Sequence, residues 1–391
     1  MSGREPLRLV LVAGEASGDL LGGDLARALK RQRPDLELAG ITGPHMRSAG
    51  VETWFDVEAL SVMGLTEVLR HLARLIRLRK NLRQRILGWP ATALVTIDAP
   101  DFNLGLARQL HRRGLTTIHY VSPSVWAWRA GRIPRIARSL DLLLTLFPFE
   151  PALYRPHGLD ARFVGHPLAD ELRAGPDRSA ARTTLQTGSE NPVIALLPGS
   201  REGELTRHVG LLAATARLLR RAHPAADLVM LLSGPRHAAL ARELAGSALE
   251  QAGVRLLSDV TRSGLAAADV AIAASGTVTL EAFLLECPLV VYYRLAPATF
   301  HLARALKLVR SQFVSLPNIL CQHRLVPERL QGEATPETLL ADVNAWLAQP
   351  ERTRQYRQQA AKWRQRLGCQ AGEQAARAVL ARLGGEALSR S

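Results

Sequence analysis

Cysteine is scarce in this 391-residue chain: there are three, Cys287, Cys321 and Cys369, and no two form a Cys-x-x-Cys pair. That excludes a disulfide scaffold and a cysteine-based zinc site, and it fits a reducing compartment. Cys287 stands in an apolar run and is expected to be a buried thiol. Long hydrophobic runs are also missing. No window approaches 18 uninterrupted apolar residues, so no helix is expected to span a membrane. The apolar stretch at residues 7–13 is short, interrupted by Arg8 and followed by acidic residues. It reads as a first strand and not as a signal peptide. Acidic residues are few relative to basic ones: 35 Asp and Glu against 50 Lys and Arg give a formal charge of +15. A surplus of that size attracts polyanions, whether nucleic acid, anionic lipid or phosphorylated substrate, and says nothing about fold. No Asp-x-Asp pair occurs, so a diphosphate-bound Mg²⁺ of that type has no obvious protein ligand.

What is present is an ordinary globular composition, 47 % hydrophobic and 22 % charged, which excludes a disordered or collagen-like chain. The length suggests two domains of about 100–200 residues each. Short apolar runs at 7–13, 36–41, 93–97, 116–121, 142–146, 193–197, 228–232, 271–274 and 289–293 read as strands. Between most of them lie amphipathic segments of helical length, such as 19–31, 102–112 and 204–221. This alternation implies α/β architecture with parallel sheets covered by helices. A polar break rich in Gly, Pro and Ser falls at 174–191, followed by a new strand–loop–helix start. Two domains therefore meet near 167–190, with the active site expected at the C-terminal ends of their strands. Residues 351–383 carry no strand signal and should be helical, broken near Gly368.

Several loops carry chemistry. Gly14-Glu-Ala-Ser-Gly-Asp19 follows a strand and opens a helix; glycines such as Gly18 let backbone approach a ligand, and Ser17 adds a hydroxyl. The pattern equally fits a tight turn with Ser17 or Asp19 capping the helix. It is neither Gly-x-Gly-x-x-Gly nor a P-loop. Ile97-Asp-Ala-Pro-Asp-Phe-Asn103 ends a strong strand. Asp98 sits where a parallel strand stops and a catalytic carboxylate is placed, while Asp101 and Asn103 suit a helix cap. The run 119–129 holds Trp126, Trp128 and Arg129, with Arg132 just beyond. These side chains suit either a sugar phosphate or a packed domain edge. At Leu197-Pro-Gly-Ser-Arg201, the residues Gly199 and Ser200 present N–H and O–H donors to a diphosphate, and Arg201 adds a charged fork. At Ser275-Gly-Thr277 a strand again enters a helix, with Gly276 and Thr277 at its start and Glu281 a turn later, suited to ribose hydroxyls or to the helix dipole. A basic amphipathic stretch at 63–80 sets Leu65, Val68, Leu69, Leu72, Leu75 and Ile76 at helical spacing among Arg and Lys. Such a helix lies on an anionic bilayer or against a core. Residues 300–310 repeat the same mixture.

Taken in order, GEASGD, SVMGLTEVL, IDAPDFN, HYVSPSVWAWR, FVGHPL, LLPGSREGE, SGTVTLEA and SLPNIL, spread over about residues 8–345, resemble the lipid-A-disaccharide synthases. The resemblance implies a GT-B-type fold: two Rossmann-like domains with parallel sheets facing across a cleft. An N-terminal acceptor and membrane domain would span 1–170 and a UDP-sugar domain 190–348, with C-terminal helices 349–391 crossing back to the first. It implies transfer from UDP-2,3-diacylglucosamine to 2,3-diacylglucosamine 1-phosphate, giving a β-1,6-linked disaccharide 1-phosphate and UDP with inversion. No metal and no cofactor are implied. The implied location is the cytoplasmic face of the inner membrane, with an anionic membrane surface as partner and no nucleic acid. A homodimer is compatible with it. By the same resemblance Asp98 is the catalytic base. Ser17, Gly18, Gly199, Ser200, Arg201, Gly276, Thr277, Glu281 and Asn318 bind substrate, and Met63, Leu65, Leu69, Leu72, Leu75 and Ile76 touch lipid. A UDP-sugar 2-epimerase of the same architecture is the alternative. It would bind UDP at the same loops but has no use for the apolar stripe at 65–76. A nucleic-acid-binding protein is suggested by charge alone, since the chain has no aromatic stacking run and no recognised binding motif.

Overall fold

The structure, a computed structural model, describes residues 7–60, 68–126, 130–188, 190–295 and 312–387, with side chains at all of these except 68–72 and 385–387. It divides into two compact units, Met1–Asp170 with Leu367–Ser391, and Glu171–Arg366. The first unit is built on seven strands: β1 (Arg8–Ala13), β2 (Glu37–Thr42), β3 (Glu52–Asp56), β4 (Ala93–Ile97), β5 (Thr116–Tyr120), β6 (Leu142–Thr145) and β7 (Asp160–Phe163). They form one parallel sheet in the order β3-β2-β1-β4-β5-β6-β7. Its interior strands are buried on both faces, as helix-covered parallel strands must be, and so they read as unbroken apolar runs. Val12 lies opposite Ile41, Ala13 opposite Ile97, and Ile97 opposite Tyr120. This register brings the loops after β1, β2, β4 and β5 out along a single edge.

The second unit repeats the plan with β8 (Val193–Leu197), β9 (Asp227–Leu232), β10 (Val254–Ser258), β11 (Val270–Ala274), β12 (Leu289–Tyr293) and β13 (Glu328–Leu330), in the order β10-β9-β8-β11-β12-β13 and all parallel. In each sheet the strand order reverses beside the first strand, between β1 and β4 and between β8 and β11. Such switch points are where open parallel sheets leave a crevice for a ligand.

The helices that position the first unit's loops are α1 (Ala16–Gln32), α2 (Pro44–Ser48), α3 (Val68–Gly88), α4 (Pro100–His111) and α5 (Ile133–Ala137). The tail forms two helices, Pro350–Leu367 and Ala371–Ala387, separated at Gly368–Gln370. The whole stretch 349–391 was expected on the N-terminal domain, yet the helix Pro350–Leu367 belongs to the second unit. Tyr356 is the reason: fully buried, it packs edge-on against Phe283 and Trp346 and donates to the Cys287 carbonyl at 2.8 Å. Only the helix Ala371–Ala387 packs in the first unit, where Glu373 accepts from Arg31 at 2.6 Å and Gln32 at 2.7 Å. Cys287 is buried, which pushes its thiol up to about 12.

The amphipathic helix α3 has a different inner face from the one the spacing at 65–76 suggests. Leu78, Leu82 and Ile86 turn into the core. Ile76 points outward, 51 % exposed, and Leu87 three turns later is 46 % exposed. Leu75, one turn before Leu78, is half-buried. The side chains of Leu69 and Leu72, and residues Met63, Leu65 and 300–310, lie outside the described part. Among the described residues no helix is long and apolar enough to cross a membrane.

One buried carboxyl makes the first unit's stability depend on pH. Glu150, in the turn after β6, is buried and accepts from the Phe147 N–H at 2.9 Å. Burial pushes it up to about 7, against hydrogen bonds from the Phe147 and Leu146 amides and the Ser122 and Trp126 side chains, which favour the charged form. A carboxyl raised in the folded chain holds its proton where the unfolded chain has lost it. Its contribution is therefore complete below the ordinary carboxyl range and is lost as pH rises through about 7. Comparing Tm of wild type and Glu150→Gln from about pH 5 to about pH 8 should show the difference moving in the variant's favour. A difference that stays constant with pH would contradict this assignment.

Candidate active site

The switch point of the first sheet holds two loops in unusually close contact. At the end of β4 the chain runs through Asp98 and Ala99 with φ of 55° and 41°, both in the left-handed region. For two successive residues with a Cβ this costs on the order of 1–3 kcal/mol each and needs support from its surroundings. The support is visible. The Asp98 N–H donates to the Tyr120 carbonyl at 3.0 Å, and Asn103 Nδ2 donates to the Asp98 and Ile97 carbonyls at 2.8 and 3.1 Å. From the other side, Gly14 N–H donates to the Ile97 carbonyl at 3.3 Å. A Cβ on Gly14 would sit 2.0 Å from the Ala99 Cβ, and one on Gly18 would sit 3.2 Å from the Ile97 carbonyl oxygen. The glycines of the first loop are there so that it can lie directly on the β4 turn.

This packing brings Asp98, Ser17 and Gly18 together. Ser17 Oγ donates to Asp98 Oδ2 at 3.1 Å, and the Ala99 N–H donates to Oδ1 at 2.8 Å. Each carboxylate oxygen keeps a lone pair for a further donor. The helix caps differ from the expectation. Glu15, not Ser17 or Asp19, stands at the start of α1, and Ala99 at the start of α4, neither with a side-chain cap. Asp19 is instead buried and accepts from the Gly43, His45 and Met46 N–H groups at 2.7, 2.8 and 3.1 Å, capping α2. Asn103 is a buried brace, and Asp101 pairs with Arg132 at 2.8 Å. Trp126 meets Phe149 edge-on at 5.8 Å, whereas Trp128 and Arg129 lie outside the described residues.

At the second sheet's switch point lies a cavity of about 390 Å³. The loops after β8 and β11 form it: Gly199, Ser200 and Arg201 come from the first, Gly276, Thr277 and Glu281 from the second. Residues that no motif signalled complete the wall: Ser233, Thr261 and Tyr293, with Glu204 beneath. Among the described residues the N–H groups of Gly276 and Thr277 have no hydrogen-bond partner. The Ser200 N–H is different. It was expected to face a diphosphate, yet it donates to Glu204 Oε2 at 3.2 Å, as does the Arg201 N–H at 3.4 Å. Gly199 permits this with a φ of +111°; a Cβ there would meet Glu204 Oε2 at 2.5 Å. Glu204 Oε1 accepts from the Tyr293 hydroxyl at 3.3 Å. The loop therefore offers the Ser200 hydroxyl and the largely exposed Arg201 guanidinium, with the Ser200 and Arg201 amides already taken by Glu204.

A buried histidine fixes that loop from behind. His208 donates from Nδ1 to the Pro198 carbonyl at 2.8 Å, and its Nε2 accepts from the Arg294 N–H at 3.3 Å. Burial holds its pKa below the ordinary value, so the ring is neutral in this tautomer. Glu281 is held by Arg262, whose Nε donates to Glu281 Oε1 at 3.0 Å while its Nη2 reaches Glu171 at 2.6 Å. Asn318 corrects the expectation outright. It is fully buried, donating to the Val326 carbonyl and Glu328 Oε1 and accepting from the Leu325 and Val326 N–H groups. Its four hydrogen bonds are all made inside the fold, so it braces the 314–328 loop and has none left for a substrate.

Known proteins share this layout. A family model described as lipid-A-disaccharide synthetase matches residues 9–382. The lipid-A-disaccharide synthase of Xanthomonas campestris pv. campestris (strain 8004) is 47 % identical over 346 residues, covering 88 % of this chain and 79 % of that protein. That of Pectobacterium carotovorum subsp. carotovorum (strain PC1) is 43 % identical over 380 residues, covering 97 % and 98 %. Among solved structures, a UDP-GlcNAc 2-epimerase from Neisseria meningitidis bound to UDP-GlcNAc superposes with a TM-score of 0.63 at 10 % identity, covering 98 % of this chain and 100 % of that one. MurG from Acinetobacter baumannii gives 0.56 at 14 %, covering 96 % and 99 %. At such identities these structures show the fold alone, two parallel-sheet α/β domains of GT-B type. The sequence relatives go further, and with the match running from β1 into the last helix the chain belongs to the lipid-A-disaccharide synthase family of glycosyltransferases.

Proposed function

We propose that the enzyme transfers 2,3-diacylglucosamine from its UDP derivative to the 6-hydroxyl of 2,3-diacylglucosamine 1-phosphate, with inversion. The observation that carries this reading is the cavity of the second unit. Two turns about 75 residues apart in sequence converge there with Arg201 and Glu281, the donor and acceptor set a nucleoside diphosphate calls for. In this reading the Glu281 carboxylate, steadied by Arg262, accepts from the ribose hydroxyls. The Arg201 guanidinium, the Ser200 hydroxyl and the Gly276 and Thr277 amides meet the diphosphate.

Inversion needs one in-line displacement. The acceptor 6-oxygen gives its proton to an Asp98 carboxylate oxygen and forms the bond to the anomeric carbon. The bond from that carbon to the β-phosphate oxygen breaks, and its electron pair leaves with UDP. Ser17 and the Ala99 N–H hold the carboxylate in place, which supports Asp98 as the base over the exposed Glu15 and the Arg132-paired Asp101. We also propose that α3 rests on an anionic membrane surface at the cytoplasmic face. The exposed Ile76 and Leu87 stand among the exposed Arg74, Arg77, Lys80 and Arg85, a pattern suited to the headgroup layer.

The test is to incubate the protein with both acylated substrates in detergent and a chelator. Mass spectrometry should then detect a disaccharide phosphate that requires both lipids. Turnover of the UDP-sugar with no acceptor present, and no disaccharide when the acceptor is added, would favour an epimerase. Asp98→Asn should lower kcat by about 10²–10⁴ with the fold intact; near-normal turnover would remove Asp98 from its role. Arg201→Ala should lower kcat by about 10²–10³, and a raised KM alone would mean that Arg201 binds ground state and transition state equally.

A further inference from the structure

A second cavity, of about 240 Å³, lies on the outer side of α4 in the first unit. Four arginines line it: Arg79 from α3, Arg108 from α4, Arg132 just before α5 and Arg135 within α5. One carboxylate, Asp101, is present, and it is taken by Arg132. Among the described residues Arg79, Arg108 and Arg135 have no carboxylate partner, so the cavity carries a net charge near +3. Repulsion from Arg112, then loss of hydration, then repulsion from Arg135 and Arg138 holds the Arg108 guanidinium below its ordinary pKa. Cations crowded in this way raise each other's energy, and an anion placed among them relieves it.

The backbone is shaped to keep the charges there. Gly105 faces α3, and a Cβ on it would sit 2.5 Å from Arg79 Nη1. The missing side chain is the space in which the Arg79 guanidinium lies against α4. The near end of the cavity is Pro100 and Asp101, two and three residues past Asp98. Its far end is Arg108, about 12 Å along the helix. The Pro100–Asp101 end of the cavity is thus the end next to the carboxylate proposed to deprotonate the acceptor. The exposed Ile76 stands one turn before Arg79 on α3.

We propose that this cavity binds the phosphomonoester of the acceptor, a sugar 1-phosphate, and so fixes which hydroxyl reaches Asp98. The proposal rests on the transferase reading but is tested without turnover. The full chain is titrated with α-glucosamine 1-phosphate and with glucosamine, following NMR shifts. Wild type should prefer the phosphorylated sugar by about tenfold or more, roughly the value of one charged contact. The double variant Arg108→Gln/Arg135→Gln should lose that preference while keeping the wild-type circular-dichroism spectrum and Tm, which excludes misfolding of the first unit. Gly105→Ala, which displaces Arg79 without removing a charge, should weaken phosphate binding several-fold. No preference in wild type, or an undiminished one in the double variant, would overturn the proposal. Sedimentation with phosphatidylglycerol vesicles separates the other source of phosphate. If the double variant loses vesicle binding but keeps glucosamine 1-phosphate, the cavity reads membrane headgroups and the proposal falls. Failure of the transferase reading itself would show in the product assay and not in these titrations.

Discussion

The contact of Gly14 with the Asp98–Ala99 turn is the constraint from which the first unit's chemistry follows. Parallel strands β1 and β4 are neighbours, so their following loops emerge side by side. They can touch only if one of them lacks side chains at the point of crossing. Gly14 and Gly18 supply that gap, Asn103 ties down the freed carbonyls from α4, and two residues are held in the left-handed region as a result. The strain is local and is offset by the surrounding hydrogen bonds. What it yields is a carboxylate lifted off the strand end and steadied by Ser17 and the Ala99 N–H.

The second unit solves a similar problem by different means. Its turn after β8 must stay open toward a cavity while carrying amides that would otherwise be unsatisfied. Glu204, one turn into the next helix, folds back to take two of those amides, and the neutral His208 holds the Pro198 carbonyl from below. The turn is thus rigid before any ligand arrives. Positive charge comes from the exposed end of Arg201 and not from the Ser200 and Arg201 amides. An arrangement fixed in advance around a departing diphosphate loses little to reorganisation during the reaction.

Much of this was legible in the sequence, and the misses have physical causes. The nine apolar runs read as strands are the nine interior strands of the two sheets. The four strands that were missed, Glu52–Asp56, Asp160–Phe163, Val254–Ser258 and Glu328–Leu330, are the four sheet edges. Edge strands are covered on fewer sides, so their sequences mix charge with apolar residues and lose the signature of a buried strand. The glycine loops and Asp98 were readable because each follows a strong strand. Asp19 was not, because its partners are set by how loops fold over one another. Asp19 reaches amides 24 to 27 residues away. Asn318 shows the opposite error. A polar residue inside a shared motif suggested a ligand contact, while its four internal hydrogen bonds make it a brace. On α3 the helical spacing was legible, and Ile76 stands on its outward side.

The central claim is that the Gly14 contact holds the catalytic carboxylate in its working position, and Gly14→Ala tests it most directly. The added methyl meets the Ala99 Cβ and must push the β4 turn, and Asp98 with it, away from α1. Kinetics of the folded variant with saturating substrates should show kcat lowered by about 10²-fold, the usual consequence of displacing a reacting group by about an ångström, with UDP affinity at the second unit unchanged. A folded Gly14→Ala enzyme that turns over at the wild-type rate would contradict the account.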